Sequence, residues 1–254
     1  MAVVLVTGGT GVLGSRVASR LVGRGHDVRV LSRREAPEVV DGAVAVQGDV
    51  RTGDGLADAV AGADVVVHSA SNPRWRPRAT EVDGTRNLLD AAGGARPHLI
   101  YVSIVGVDRI PFSYYRAKLA AEEIVAAGPL PWTIQRATQF HYLPFEFLVA
   151  GRGVVPRGAR SQLIDSSEVA DRLADQAEGE PAGRAPDMGG PEVLSVKDIV
   201  RIHHEVTGRR LRVLEVRPVG KSMRGFAEGH NLCPDHAVGT ITFEEYLRWR
   251  ETQG

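Results

Sequence analysis

The sequence predicts an α/β protein built on a doubly wound parallel sheet, with a small C-terminal α/β lobe. Through the first half of the chain, short apolar runs rich in β-branched residues alternate with helix-length segments. Strands separated in this way are joined by right-handed crossovers into a parallel sheet. The first run, Ala2-Val3-Val4-Leu5-Val6, leads straight into Thr7-Gly8-Gly9-Thr10-Gly11-Val12-Leu13-Gly14 and then an amphipathic stretch over residues 15–22. Strand, glycine turn and helix in that order make a phosphate site, because the helix N-terminus offers unpaired N–H groups and the positive end of its dipole. These observations predict a Rossmann-type fold.

The elements follow in order. Gly8 permits the sharp turn, Gly11 lets backbone approach a pyrophosphate, and Gly14 lets the helix lie close to the strand. Val28-Arg29-Val30-Leu31 is a second strand, ending at Ser32-Arg33-Arg34. Residues 44–50 read as a third strand, followed by a helix over 56–61. Ala63-Asp64-Val65-Val66-Val67-His68 is a fourth, apolar in its middle and so buried on both faces. A loop rich in proline and arginine, with Arg74-Trp75-Arg76-Pro77-Arg78, leads to a helix over 83–92. A fifth strand spans 98–103, a helix 115–127 and a sixth strand 132–135.

Past about residue 140 the segments shorten, with glycine and proline punctuation at Gly151-Arg152-Gly153 and Gly189-Gly190-Pro191. The expected division is therefore 1–140 for cofactor binding and 141–254 for a smaller substrate lobe over the carboxyl edge of the sheet, where such folds place ligands. Within that lobe, helices are expected over 166–178, from Ser195-Val196-Lys197-Asp198 to Gly208, and over 243–250, with a strand over 211–216.

Thirty-one basic and 31 acidic residues cancel, which removes the electrostatic case for nucleic acid or an anionic membrane as partner. Cys233 is the only cysteine, so no internal disulfide framework exists and a reducing compartment is expected. A strand beginning at residue 2 and the lack of a membrane-length apolar run predict a cytoplasmic protein. His203-His204-Glu205 adjoin on one helix and point apart, so no metal site is expected.

Ser32, Arg33 and Arg34 stand where an acidic residue would hold the ribose hydroxyls of NAD(H). Two guanidiniums there suit a 2′-phosphate, so NADP(H) is the preferred cofactor and NAD(H) the alternative. Tyr114 and Lys118 stand four apart on one helical face. An ammonium near a phenol favours the phenolate and brings the tyrosine toward working pH. Ser103, at the end of the fifth strand, can hydrogen-bond the same substrate oxygen, whereas Tyr115 has the wrong spacing to Lys118.

Thr7-Gly8-x-x-Gly11-x-x-Gly14 resembles the short-chain dehydrogenase/reductase superfamily in its extended and atypical branches. The resemblance runs to about Gln139 through Asp49-Val50, Val66-Val67-His68, Gly84-Thr85-x-Asn87-Leu88-Leu89, Tyr101-Val102-Ser103 and Tyr114-x-x-x-Lys118. Tyr101-Val102-Ser103-Ile104-Val105-Gly106-Val107 and Arg136-Ala137-Thr138-Gln139-Phe140-His141 are similar to stretches of the NmrA-like proteins and triphenylmethane-type reductases. It implies that Thr7, Gly8, Gly9, Thr10, Gly11, Val12, Leu13 and Gly14 cradle the cofactor, with Asp49 and Val50 at the adenine. Ser69, Ala70 and Ser71 would also bind cofactor, Lys118 the nicotinamide ribose, and Gln139, Phe140 and His141 would line a substrate pocket. One departure is Glu81, in Glu81-Val82-Asp83-Gly84-Thr85, where extended members carry asparagine.

The activity this implies is NADP(H)-dependent hydride transfer to or from a small carbonyl, quinone or enone-like substrate. Two other readings stand beside it: an NmrA-like regulator that senses NADP(H) without turnover, and an epimerase or dehydratase that retains its nucleotide. Superfamily members often pair helices into dimers, so a homodimer is open to this chain.

Overall fold

The structure, a computed structural model, describes residues 1–73, 76–143 and 153–253; Arg74, Trp75, Gly151 and Arg152, singled out above, lie outside them. Two compact units interleave along the chain. The first comprises Met1–Ser103, Arg116–Gln135 and Ser166–Ala185, the second Ile104–Tyr115, Arg136–Asp165 and Pro186–Gly254.

The first unit carries the expected parallel sheet. Its strands are β1 (Val3–Thr7), β2 (Asp27–Ser32), β3 (Val44–Gln47), β4 (Val65–His68), β5 (His98–Ile104), β6 (Trp132–Ala137) and a seventh, Gly183–Arg184, in the order β3-β2-β1-β4-β5-β6-seventh. The central strands β4 and β5 are buried almost throughout, as their unbroken apolar runs require when both faces are covered. β3 lies at the edge, and its Val44 is exposed. Chain order reverses between β1 and β4, so their carboxyl ends, with Thr7 paired in register to His68, form the switch point where open α/β sheets bind ligands.

The third strand stops at Gln47, short of the expected Val50. The carbonyl of Asp54 packs over Gly48, 2.8 Å from where a Cβ would stand. The chain then turns back, with Asp49 N donating to the Asp54 carbonyl at 3.0 Å. Helices α1 (Val12–Gly23), α2 (Leu56–Val60), α3 (Gly84–Ala92) and α4 (Ser113–Ala127) occupy the expected places, and a π-helical turn over Ala79–Asp83 runs directly into α3. The helix Ser166–Glu178 packs against α1. Small buried side chains on it, Ala170, Ala174 and Ala177, let the two approach. Arg24 pairs across this contact with Asp175 and Glu178 at 2.7 and 2.8 Å. These pairs are solvent-exposed and screened, so apolar burial holds the helix in place.

In the second unit, Gly153–Pro156 pairs in parallel with Val213–Val216, and Arg160–Gln162 runs antiparallel to Val193–Ser195. Ser195 and Asp198 form the expected capping box at the start of Val196–Thr207, which closes at Gly208 in the left-handed region. Thr242 and Glu245 cap Phe243–Thr252 in the same way. These two helices share a core of Leu163, Leu194, Ile199, Ile202, Phe243 and Leu247.

Gly14 sits on α1 where any Cβ would collide with the carbonyl oxygen of Gly8. Gly14→Ala therefore lowers unfolding free energy by about 1–3 kcal/mol, measured by urea denaturation; an unchanged midpoint would show that α1 can shift without cost.

Candidate functional site

The glycine turn has the form a phosphate needs. Gly8 adopts φ +70°, and a side chain there would press into the backbone of Ser69 and Ala70 at 2.7–2.9 Å. Gly11 is the N-cap of α1 in extended conformation and supplies no side-chain cap, and no acidic residue stands in the first turn. The first N–H groups of α1 are therefore left for an external acceptor. At the end of β2 the Ser32 hydroxyl accepts from the Arg34 amide at 3.1 Å, and both Arg33 and Arg34 expose their guanidiniums. The cradle and the two exposed cations fit a phosphorylated dinucleotide.

Beneath the turn lies a chain of buried hydrogen bonds. Thr7 Oγ1 meets His68 Nδ1 at 2.7 Å, and His68 Nε2 meets Thr85 Oγ1 at 3.2 Å. Thr85 donates its one hydroxyl proton to the Glu81 carbonyl, so it can only accept from His68. Nε2 must therefore donate, and in the neutral imidazole Nδ1 accepts the Thr7 proton. Electrostatics agree: burial first, then the nearby Lys118 ammonium, push His68 down to about 4. Thr7 Oγ1 also accepts from Ala70 N at 3.2 Å, and Ser69 Oγ donates to the Thr7 carbonyl at 2.7 Å. Ser69 and Ala70 thus brace the turn through the protein's own bonds.

Lys118, on α4, is 3 % exposed, and its ammonium lies 3.0 Å from Oε2 of Glu81, which is fully buried in the π-helical turn. It also donates to the Val102 carbonyl at 2.8 Å and sits 4.6 Å above the Tyr101 ring. Burial opposes its charge, but Glu81 and Tyr101 outweigh that and hold the lysine above its ordinary value. The same carboxylate accepts from Tyr101 OH at 3.2 Å and from Ser71 Oγ at 2.7 Å. Removing one member of such a buried pair costs about 3–5 kcal/mol. The Ser103 hydroxyl, 2 % exposed, has no hydrogen-bond partner among the described residues.

Other expected residues divide. Asp49 accepts from the Arg51 amide at 2.9 Å, while Val50 is buried and its carbonyl accepts from Asn87. In the second unit, Tyr114 is half-buried beside Tyr115, ring centroids 6.3 Å apart. Tyr115 is buried, its phenol pushed up chiefly by burial, and Gln139 donates to its hydroxyl at 3.3 Å. Phe140 stacks on Tyr142 at 5.7 Å. His141 is buried in the core of this unit: its Nε2 donates to the Ile241 carbonyl at 3.0 Å and its ring stacks on Tyr246 at 5.0 Å. Sequence reading noted Glu81 only as a departure from asparagine. Its pairing with Lys118 depends on contacts 37 residues apart in the chain, which no local pattern shows.

A family model described as NAD(P)H-binding matches residues 8–178. The chain is 27 % identical to a 3-beta-hydroxysteroid dehydrogenase of Mycolicibacterium neoaurum, over 88 % of this chain and 75 % of that one. It is 30 % identical to a (4-alkanoyl-5-oxo-2,5-dihydrofuran-3-yl)methyl phosphate reductase of Streptomyces griseus, over 84 % and 77 % respectively. In fold it is similar to an NADPH-dependent quinone oxidoreductase from Escherichia coli solved with NADPH, with TM-score 0.80 and 16 % identity over 98 % of this chain and 99 % of that one.

The neutral His68 generates a pH dependence. Its folded value near 4 lies below the ordinary 6.5, so between these the unfolded chain takes up a proton that the folded one refuses. Its stability contribution is complete above about pH 6.5 and declines toward pH 4 by about 1.4 kcal/mol per unit. Urea titrations at pH 7 and pH 5 should show the parent losing about 1–2 kcal/mol more than His68→Gln; equal losses would mean that His68 is not the neutral link.

Proposed function

The chain belongs to the NAD(P)H-binding family, and from that premise we propose that it is an NADP(H)-dependent oxidoreductase acting on a small carbonyl, quinone or enone-like substrate. The observation that carries the reading is the uncapped N-terminus of α1 seated on the glycine turn. The relatives named as a dehydrogenase and a reductase support it. When bound, the nicotinamide supplies or accepts the hydride.

The residues of the chain do the rest. Thr7 through Gly14 and the α1 N-terminus bind the pyrophosphate, while Arg33 and Arg34 bind the 2′-phosphate and so prefer NADP(H). Lys118 provides a buried positive charge on the helix that also carries Tyr114. Tyr114 holds or releases the proton that accompanies the hydride, and Ser103 orients the substrate oxygen with its unused hydroxyl. We assign residues 1–140 mainly to cofactor and 141–254 mainly to substrate, and take the single thiol of Cys233 as fitting a cytoplasmic setting.

One observation favours a second reading, in which the protein senses NADP(H) without turnover. The Lys118 ammonium is already shared among Glu81, Tyr101 and the Val102 carbonyl. A cation so engaged favours a phenolate less than a free one.

Two experiments decide. Tyr114→Phe should lower kcat for NADPH-dependent reduction of a quinone or enone by about 100-fold and leave NADPH affinity unchanged; full retention of turnover removes Tyr114 from the chemistry. Arg33→Gln with Arg34→Gln should weaken NADPH binding by about tenfold or more and leave NADH binding within about twofold, read by fluorescence titration. Equal loss for both nucleotides would place the 2′-phosphate elsewhere.

A further inference from the structure

The second unit contains a cavity of about 520 Å³ whose wall includes both Arg109 and Arg160. Neither guanidinium has a hydrogen-bond or ion-pair partner among the described residues. The carboxylate adjoining Arg109 in sequence, Asp108, is taken by Arg136 at 3.1 Å. The cavity's own carboxylate is Asp235, and its thiol, Cys233, is pushed up to about 12, chiefly by burial. At neutral pH the thiol therefore adds no negative charge; the wall carries two guanidiniums and one carboxylate, with the Asp187 carboxylate near the thiol behind it. The rest of the wall is Gly229, His236 and the apolar Val193, Leu232 and Pro234.

The wall is built rather than incidental. Gln162, 1 % exposed, accepts from Cys233 N at 2.8 Å and donates to the Gly190 carbonyl at 2.9 Å. His236 N donates to the Cys233 carbonyl at 2.9 Å, and Gly189 N to the His236 carbonyl at 2.8 Å. Asn231, 2 % exposed, fixes the Arg160 carbonyl at 2.9 Å. Gly229, at φ +79°, leaves room for the Arg160 guanidinium, which would stand 2.9 Å from any Cβ there.

We propose that this cavity binds an organic phosphate, its phosphoryl group on Arg109 and Arg160 and its apolar body against Val193, Leu232 and Pro234. Two unpaired planar guanidiniums suit a group with several equivalent oxygens and a double negative charge better than a carboxylate. The volume lies within the range of small-molecule sites and far exceeds a lone phosphate ion, so the ligand carries an organic body. Binding does not depend on the oxidoreductase reading; that this phosphate is the substrate of the reaction does.

Calorimetric titration of the full chain with phenyl phosphate, inorganic phosphate and benzoate tests the assignment. Phenyl phosphate should bind more tightly than either of the others, and Arg109→Gln and Arg160→Gln should each weaken it by about tenfold. Arg33→Gln with Arg34→Gln should leave it unchanged, which separates this cavity from the dinucleotide site. Both arginines are exposed, and thermal melts confirm folding of the variants. No binding, binding indifferent to Arg109 and Arg160, loss in the Arg33/Arg34 variant, or benzoate as tight as phenyl phosphate would each overturn the proposal. Intact phosphate binding with no NADPH oxidation toward any substrate would overturn the oxidoreductase reading alone.

Discussion

The first unit depends on one buried hydrogen-bond chain, from Thr7 through His68 to Thr85. It ties the carboxyl ends of β1 and β4 to the start of α3, at the point where strand order reverses. The same threonine receives the Ala70 amide, so the backbone under Gly8 is set by a side chain rather than by the turn alone. A polar chain this deep is tolerable only when every donor and acceptor is matched. The neutral imidazole achieves that: it is the one protonation state with a donor for Thr85 and an acceptor for Thr7.

Next to it lies the charged counterpart, Lys118 with Glu81. An ammonium and a carboxylate removed from water are costly apart and acceptable together. The π-helical turn gives Glu81 its position, and Tyr101 and Ser71 take up lone pairs the lysine does not use. Burial does most to keep the imidazole uncharged, and the same ammonium adds to it by repelling a second proton nearby. Neutral and charged networks therefore support one another, and a change in either is felt by both.

Much of this was legible in the sequence, for physical reasons that differ by element. The interior strands announced themselves as unbroken β-branched runs, and Ser195-x-x-Asp198 gave a helix start because a capping box is a local device. The Thr242-x-x-Glu245 box carried the same signal. The short strands at Gly153–Pro156, Arg160–Gln162 and Val193–Ser195 were not legible, because at three or four residues their pairing, not their periodicity, defines them. The helix Gly220–Ala227 was hidden by its two glycines. The glycine turn was readable because it joins a strand to a helix, and Arg33 and Arg34 because they directly follow the apolar run of β2. The stacking of His141 on Tyr246 was not legible, because it depends on a helix about a hundred residues later.

The interleaving of the two units bears on how the protein is made. A chain emerging from the ribosome delivers Met1–Ser103 first, but the first unit also needs Arg116–Gln135 and then Ser166–Ala185, which brings the helix that covers α1 and the last strand of the sheet. Until Ala185 has emerged, one side of α1 and one edge of the sheet stay bare. Domains that occupy a continuous stretch can finish folding in turn during synthesis; here both units are under construction at once, and the exposed surface of the nascent chain persists until Ala185 has been translated.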